Sequence, residues 1–406
     1  MAEPFPVARI PAASQRIAAR LIERGHAAWF VGGAVRDVLF ERLHGRAPRR
    51  TGDFDIATSA LPEEVRRLFP RTVPVGIEHG TVAVLDESGV PHEVTTFRRD
   101  VKTDGRHAVV EFGVSLEDDL ARRDFTVNAI AVHPASGELR DPFAGLRDIA
   151  SRRLAAVGEP AQRFLEDRLR VLRALRFAAA LELDIEPGTW DALVAAVSDL
   201  EHLSRERVRE EWRKTLESAR PSVGVALWRR SGALAAVWPE LAPLDDLERL
   251  DRFDDHVLVT AAALAWSGAS RAAAEAALRR LRFSNAEVER VGAAVEGVRG
   301  RGPGSGDPAA VRRWMSATGP AVDDVLAIWE AAGSAAGLRA AVEAVRASGG
   351  PLTLRDLAIS GDDLIAAGIP AGPQLGELLR RLLDEVLADP SRNNRAWLLR
   401  RAAELR

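Results

Sequence analysis

The chain contains no cysteine. Disulfides, a thiolate nucleophile and cysteine-ligated zinc are therefore excluded, which fits a cytoplasmic setting. Tyrosine is absent and lysine scarce, beside abundant alanine and arginine. That bias fits genome composition better than function. No apolar run approaches the ~18 residues that a membrane span needs, and no charged-then-apolar leader opens the chain. A membrane partner is not expected. Several catalytic signatures are also missing: GxxxxGKS/T, HEXXH, GxSxG and any Cys/His cluster. An excess of positive charge is lacking too. A net charge of −3 gives no global attraction to nucleic acid, so any such partner must be held by local basic patches.

What remains is ordinary for a globular protein: 406 residues, 47% hydrophobic and 28% charged. That length allows roughly two to four domains. There is no repeat at solenoid spacing and no low-complexity tract.

The first third carries most of the chemistry. Residues 12–24 have apolar positions at helical spacing, closed by Gly25. Residues 27–31 read as a buried strand. It ends in Gly32-Gly33, followed by a helical pattern to about Leu43. Strand, glycine pair and helix start together can cradle a phosphate, because glycine lets the backbone approach and the free N–H groups face the anion. Such a pair is also common in any α/β unit. Next come Asp53, Phe54, Asp55 and Ile56. Strand alternation puts both carboxylates on one face, about 6–7 Å apart, where they repel unless a cation sits between them. A hard divalent ion suits that spacing. Two solvated aspartates in a turn after Gly52 would look the same. Glu93 is a possible third carboxylate or an exposed strand residue.

Residues 61–69 predict a short helix, and 73–75, 81–85 and 92–97 predict strands. Residues 98–110 are polar, basic and glycine-containing, and predict a mobile loop. Residues 115–130 enter a strand while carrying Arg122, Arg123, Asp124, Thr126 and Asn128. Buried polar groups need partners. A ribose-triphosphate would supply them; so would a salt-bridged surface helix start.

From about Pro160 the chain reads as helical. Residues 160–181 predict one amphipathic helix, with Leu165, Leu169, Leu172, Leu175 and Ala179 on its apolar stripe. Asp167, Arg170, Arg173 and Arg176 recur every third residue on other faces, as an ion-pair ladder or something more specific. Further helices are expected at 188–200, 205–219, 222–231, 255–266, 271–298, 309–316, 321–332, 335–347 and 373–389, with 353–369 between the last two. The stretch 299–308 is the clearest linker. The C-terminal end is locally basic, with Arg380, Arg381, Arg392, Arg395, Arg400, Arg401 and Arg406. Asp254-Asp255-His256 offers a lone histidine and not the set an HD phosphohydrolase needs.

Four motifs occur in order: Gly-Gly-Ala-Val-Arg-Asp (32–37), Asp-Phe-Asp-Ile-Ala-Thr (53–58), Arg-Arg-Asp-Phe-Thr-Val-Asn-Ala (122–129) and Glu-Asp-Arg-Leu-Arg-Val-Leu-Arg-Ala (166–174). Gly-Asp-Asp-Leu-Ile-Ala-Ala-Gly-Ile (361–369) and Gly-Pro-Gln-Leu-Gly (372–376) follow. Together they resemble the class II CCA-adding tRNA nucleotidyltransferase and bacterial poly(A) polymerase family over nearly the whole chain.

The resemblance implies an α+β protein. A nucleotidyltransferase head with a small mixed sheet would span 1–150, a helical neck 151–220, a helical body 221–300 and a helical, tRNA-binding tail 309–406. It implies Mg²⁺ held by Asp53 and Asp55. Gly32, Gly33 and Arg36 would lie near the triphosphate, Arg123 on the nucleotide, and Asp124 and Asn128 near the ribose. Asp167, Arg170, Arg173 and Arg176 would read the base and hold the triphosphate. Chemistry supports the reader. Cytosine and adenine both present an amine donor beside an unprotonated ring nitrogen, whereas uracil and guanine present a carbonyl beside a protonated one. A carboxylate with a guanidinium would accept the first two and reject the others.

The implied activity is addition of CMP, CMP and AMP to a tRNA 3′ end from CTP and ATP, without a template and with release of pyrophosphate. CC-only or A-only addition are alternatives, and the 98–110 loop, tied in the family to switching from C to A, is slightly short. Poly(A) polymerase is another, although that branch often has proline where Arg168 stands. A catalytically silent RNA-binding module and an Asp-x-Asp glycosyltransferase fit the motifs less well.

Overall fold

The computed structural model describes residues 4–45, 54–76, 79–103 and 108–405. Asp53 lies outside these residues, as does Arg406. The chain divides into two compact units, Met1–Ala242 and Pro243–Arg406.

The first unit begins with α1 (Ala12–Glu23), β1 (Ala28–Val31), α2 (Gly33–His44), β2 (Asp55–Thr58), α3 (Pro62–Leu68), β3 (Thr72–Pro74), β4 (Thr81–Leu85) and β5 (Pro91–Thr96). A ribbon of β6 (Arg98–Thr103) and β7 (Ala108–Phe112) follows, then α4 (Leu116–Ala121), β8 (Ala131–Val132), β9 (Leu139–Arg140), α5 (Gly145–Ala150) and β10 (Arg153–Leu154). The main sheet has seven strands in the order β3-β4-β5-β2-β1-β8-β9. It is mixed, because β2 runs parallel to β5 and antiparallel to β1. Alternation in β2 buries Ile56 and leaves Asp55 half-exposed, while Phe54 meets Phe30 edge-on at 5.8 Å. Val31, Ala57, Phe97, Leu120, Ala131 and Val157 form one apolar cluster against these central strands.

The rest of the unit is mainly helical: α6 (Pro160–Glu166), α7 (Leu169–Leu181), the short strand β11 (Asp184–Ile185), α8 (Pro187–Ala195), α9 (Arg205–Leu216), α10 (Pro221–Ser231) and α11 (Ala233–Val237). Trp212, Trp228 and Trp238 are fully buried against one another, with centroids 5.2 and 5.3 Å apart, and lock α9 to α10.

The second unit runs through α12 (His256–Trp266), α13 (Arg271–Arg280), α14 (Asn285–Arg299), α15 (Pro308–Thr318), α16 (Val322–Ala331), α17 (Leu338–Ala347), α18 (Gly361–Ala366), α19 (Pro373–Ala388) and α20 (Arg395–Glu404). No strand occurs among its described residues. Among the described residues, no helix is long and apolar enough to cross a membrane.

Three sequence expectations need correction. The 98–110 stretch is a β-ribbon rather than a loop, with β6 and β7 antiparallel and Arg99 ion-paired to Glu111 at 2.7 Å; residues 104–107 lie outside the described set. The 271–298 helix is two helices. Arg282 at φ 60° breaks it, and Ser284 starts the next with a Glu287 capping box. The 160–181 helix is also two. Asp167 is extended (φ −145°, ψ 103°), and Leu165 is 56% exposed instead of joining the apolar stripe.

One glycine shows how tightly the sheet's back edge is set. A Cβ on Gly145 would stand 2.2 Å from the carbonyl oxygen of Thr126, which is backbone and cannot step aside. Gly145→Ala should therefore cost about 1–3 kcal/mol, read as a lower denaturation midpoint at unchanged m-value.

Candidate active site

The glycine turn and the carboxylate are built against each other. Val31 pairs with Asp55 across the β1–β2 ladder, so the chain leaves β1 for Gly32 beside that carboxylate. Gly32 takes φ 84°, ψ −152°, and a Cβ there would lie 2.7 Å from Asp55 Oδ2. Only glycine permits both the backbone and the approach. Gly33 then starts α2. The Ile56–Val94 pairing sets Asp55 and Glu93 one step earlier on adjacent parallel strands. Both line a cavity of about 800 Å³, together with Gly32 and Gly33. Carboxylate oxygens are the donors a hard divalent cation takes, so Asp55 and Glu93 fit Mg²⁺ by type.

A hydrogen-bonded chain forms the floor. Ser115 caps α4, and Asp119 at its end is 1% exposed while accepting from Arg122 at 2.8 and 2.9 Å and from Arg123 at 3.2 Å. After the turn, Asp124 accepts from Arg173 Nε and Nη2 at 2.8 and 2.5 Å and from Asn128 Nδ2 at 3.0 Å. Asn128 Oδ1 accepts from Arg36 Nη1 at 2.7 Å, and Arg36 also grips Asp37 through Nε and Nη2. α7 is thereby tied to α2 through Asp124, Asn128 and Arg36. Arg36 is 2% exposed, so it sits within the floor of the cavity. Burial pushes the Asp124 carboxyl up, but the Arg173 guanidinium and the Asn128 amide outweigh it and hold the group well below the ordinary range. Asp119 is likewise lowered: Arg122 and Arg123 overcome its burial.

The opposite wall comes from α7 and α9. Arg176 donates to buried Glu211 at 2.6 Å. Arg36, Arg173 and Arg176 all stand over the Phe177 ring, at 5.2, 5.2 and 4.0 Å. Arg170 Nη1 donates to the carbonyl of Arg163 at 3.1 Å and to Glu166 at 2.9 Å, and Nη2 to the carbonyl of Arg122 at 2.8 Å. This pins the α6–α7 break to the end of α4. In that break, Asp167 Oδ1 accepts from the Leu169 N–H at 3.0 Å, and both its oxygens accept from Arg207 Nη2 at 3.1 and 2.9 Å. Asp167 and Arg170 are thus neighbours across a helix start, not across a turn of one helix.

Every described candidate from the sequence borders this one cavity: Gly32, Gly33, Arg36, Asp55, Arg123, Asp124, Asn128, Asp167, Arg170, Arg173 and Arg176. Asp53 lies outside the described residues. Sequence reasoning missed Arg207, Arg213 and Lys214, which also line it. Their signal was faint: a Ser204 N-cap followed by a strongly charged helix, which reads as a solvated face until α9 packs on α7.

The basic C-terminal helices of the second unit are partly neutralised from within. Arg392 and Arg401 pair with Glu385, and Arg395 with Asp363. Arg380 and Arg400 have no carboxylate partner among the described residues.

Three family models match the chain: "Poly A polymerase head domain" over residues 28–155, "Probable RNA and SrmB- binding site of polymerase A" over 182–244, and tRNA nucleotidyltransferase domain 2 over 252–402. The CCA-adding enzyme of Bacillus cereus (strain G9842) is 50% identical over 198 residues, 48% of each chain. That of Anoxybacillus flavithermus is 46% identical over 224 residues, 55% of this chain and 54% of its own. The chain spans about half the length of the curated relatives it matches. Among solved structures, the Bacillus stearothermophilus CCA-adding enzyme in complex with CTP is similar over 98% of both chains, at 32% identity and a TM-score of 0.80. The Thermotoga maritima CCA-adding enzyme complexed with tRNA shares the fold, at 20% identity, a TM-score of 0.67 and coverage of 100% of this chain and 99% of its own.

The ion pair in the floor gives a pH-dependent prediction. Asp124 is depressed, so its stabilisation is fully present above its unfolded value near pH 4 and is lost as pH falls through its folded value. Arg173→Met removes the partner. Arg173 is about a third exposed, so solvent tempers the loss to about 2 kcal/mol at pH 7, below the ~3–5 of a fully buried pair. The deficit should shrink below about pH 4, where Asp124 of the variant takes up a proton. Denaturant titrations of both proteins at pH 7 and pH 3 measure it; an equal deficit at both pH values would contradict it.

Proposed function

The chain belongs to the family of CCA-adding tRNA nucleotidyltransferases and bacterial poly(A) polymerases, and from that premise we propose that it adds CCA to the 3′ end of tRNA from CTP and ATP. The observation that carries this reading is the single cavity in which the glycine turn, Asp55 and Glu93 face the arginines of α7 and α9. It offers carboxylates on one side, for a metal, and guanidiniums on the other, for a triphosphate and a base.

The reaction is displacement at phosphorus. The tRNA 3′-hydroxyl gives up its proton to solvent and its oxygen bonds to the α-phosphorus of the nucleotide, the bond to the α–β bridging oxygen breaks, and pyrophosphate leaves with that electron pair. Asp53 and Asp55, with Glu93 on the neighbouring strand, are the residues that would hold Mg²⁺; the ion when bound supplies charge neutralisation and acidifies the attacking hydroxyl. The chain's own part is positioning and electrostatics. Gly32 and Gly33 bring the backbone and the α2 N-terminus to the phosphates. Arg123 borders Gly32, and its Nε has no hydrogen-bond partner among the described residues, as suits a group awaiting an anion. Asp124 and Asn128 present the ribose-facing edge, and Arg36 acts by holding Asn128.

Base choice rests on Asp167 and Arg170. Three of the roughly four acceptor positions of the Asp167 carboxylate are used internally. One remains for one exocyclic amine. Arg170 uses three of its five N–H groups within the protein, leaving two for a ring nitrogen or a phosphate. That pattern supports C and A over U and G, with protein side chains in place of a template strand. Arg380 and Arg400 are the proposed contacts to the body of the tRNA, and the setting is cytoplasmic.

A transcript lacking its CCA end, and transcripts ending in C or CC, should be completed by the protein with CTP, ATP and Mg²⁺ and left unextended by UTP or GTP. Products that stop at CC, begin only from CC, or run into long A tails would identify CC-adding, A-adding or poly(A) activity instead. Asp55→Ala and Asp53→Ala should each abolish incorporation of every nucleotide. Asp167→Ala should keep incorporation while admitting UTP and GTP; unchanged selection in that variant would overturn the assignment of the base reader.

A further inference from the structure

Asp167 stands in the two-residue break between α6 and α7, its N–H on the Arg163 carbonyl and its own carbonyl accepting from the Arg170 N–H, so the backbone is held and the side-chain contacts set the direction of the carboxylate. Its carboxylate has two protein contacts: the Leu169 N–H, and the Nη2 of Arg207, which bridges both oxygens at 3.1 and 2.9 Å. Leu169 holds only Oδ1, about which the group could still turn. The second contact fixes the carboxylate plane. Arg207 has no other acid partner among the described residues. Its backbone N–H is received by the Ser204 cap, and the next residue, Val208, is fully buried. Further along α9, Glu211, Trp212, Thr215 and Leu216 are also buried. The base-facing carboxylate is therefore braced by a rigid helix about forty residues on in sequence.

We propose that Arg207 is a positioning residue for nucleotide selection, acting through Asp167; this deepens the base-reader assignment and rests on it. The reasoning is geometric. A carboxylate that accepts three hydrogen bonds from two fixed donors presents its one open acceptor in one direction. Released from Arg207, it can rotate. A rotated carboxylate no longer aims its open acceptor at the amine of cytosine or adenine, so the advantage of those bases over uracil and guanine shrinks. Both side chains are about a third exposed, at 36% and 30%. The pair thus contributes little to folding, since exposed ion pairs are typically worth ~0–1 kcal/mol. A selectivity change without a stability change is the expected signature. One nitrogen makes both contacts, so a lysine ammonium can reproduce the pair where a neutral side chain cannot.

The test compares wild type, Arg207→Met, Arg207→Lys, Asp167→Ala and the double variant Asp167→Ala with Arg207→Met, as full chains. Each is given a tRNA transcript lacking CCA, and kcat and KM are measured for CTP and UTP separately. Arg207→Met should raise KM for CTP and lower the CTP-over-UTP preference by up to about fivefold, the factor an exposed ion pair can supply, with an unchanged melting temperature. Arg207→Lys should recover most of the preference. In the Asp167→Ala background the second substitution should change the preference no further. If Arg207→Met keeps the wild-type preference while Asp167→Ala loses it, the role given to Arg207 is wrong and the base reader stands. If Asp167→Ala itself keeps the preference, the base reader is wrong. If Arg207→Met slows CTP and UTP equally, or acts equally in both backgrounds, Arg207 serves the fold or the phosphates and the proposal fails.

Discussion

Everything at this site depends on keeping guanidiniums together without a substrate anion between them. Arg36, Arg173 and Arg176 all stand within 5.2 Å of the centroid of one phenyl ring, Phe177. Like charges so close repel strongly where burial lowers the effective dielectric. The fold answers with one carboxylate per cation: Asp37 on Arg36, Asp124 on Arg173 and Glu211 on Arg176. Of these, the Asp124–Arg173 pair is decisive, because it joins the β-sheet half of the first unit to its helical half. Asn128 and Arg36 extend the same chain back to the helix that begins at the glycine turn. The pocket is thus pre-ordered, which is what positioning catalysis requires.

The same bookkeeping of hydrogen bonds separates two tasks. Asp55 and Glu93 lie on neighbouring central strands beside Gly32, with oxygens suited to a metal. Asp167 and Arg170 lie at the start of α7, with most of their hydrogen-bonding capacity already used. A reader with few free donors and acceptors discriminates better than one with many, because a mismatched base leaves a buried polar group unpaired. Chemistry and choice therefore sit on different elements of one cavity.

Much of this was legible in the sequence, for specific reasons. The strand at Asp55 and the glycine turn are local signals, and the structure has both; Asp53, the other half of the expected pair, lies outside the described residues. The strands at 81–85 and 92–97 stand within a residue of their predicted ends. Helical periodicity found α7 but ran straight through the break at Asp167, because Leu169, Leu172 and Leu175 keep the apolar stripe in phase and only the exposure of Leu165 betrays the interruption. The basic 98–110 stretch was read from its polarity, whereas cross-strand pairing made it a ribbon. Arg207, Arg213 and Lys214 were invisible for a different reason. Their meaning comes from the packing of α9 on α7, and no local pattern records that.

The central claim is that side chains, not a nucleic-acid strand, choose the base. It is tested most directly by binding alone. Titration calorimetry of the wild-type protein with each of the four nucleoside triphosphates, in Mg²⁺ and without any RNA, isolates the reader from the reaction. CTP and ATP should bind measurably tighter than UTP and GTP. Equal affinity for all four, or a preference that arises only once tRNA is added, would contradict the account.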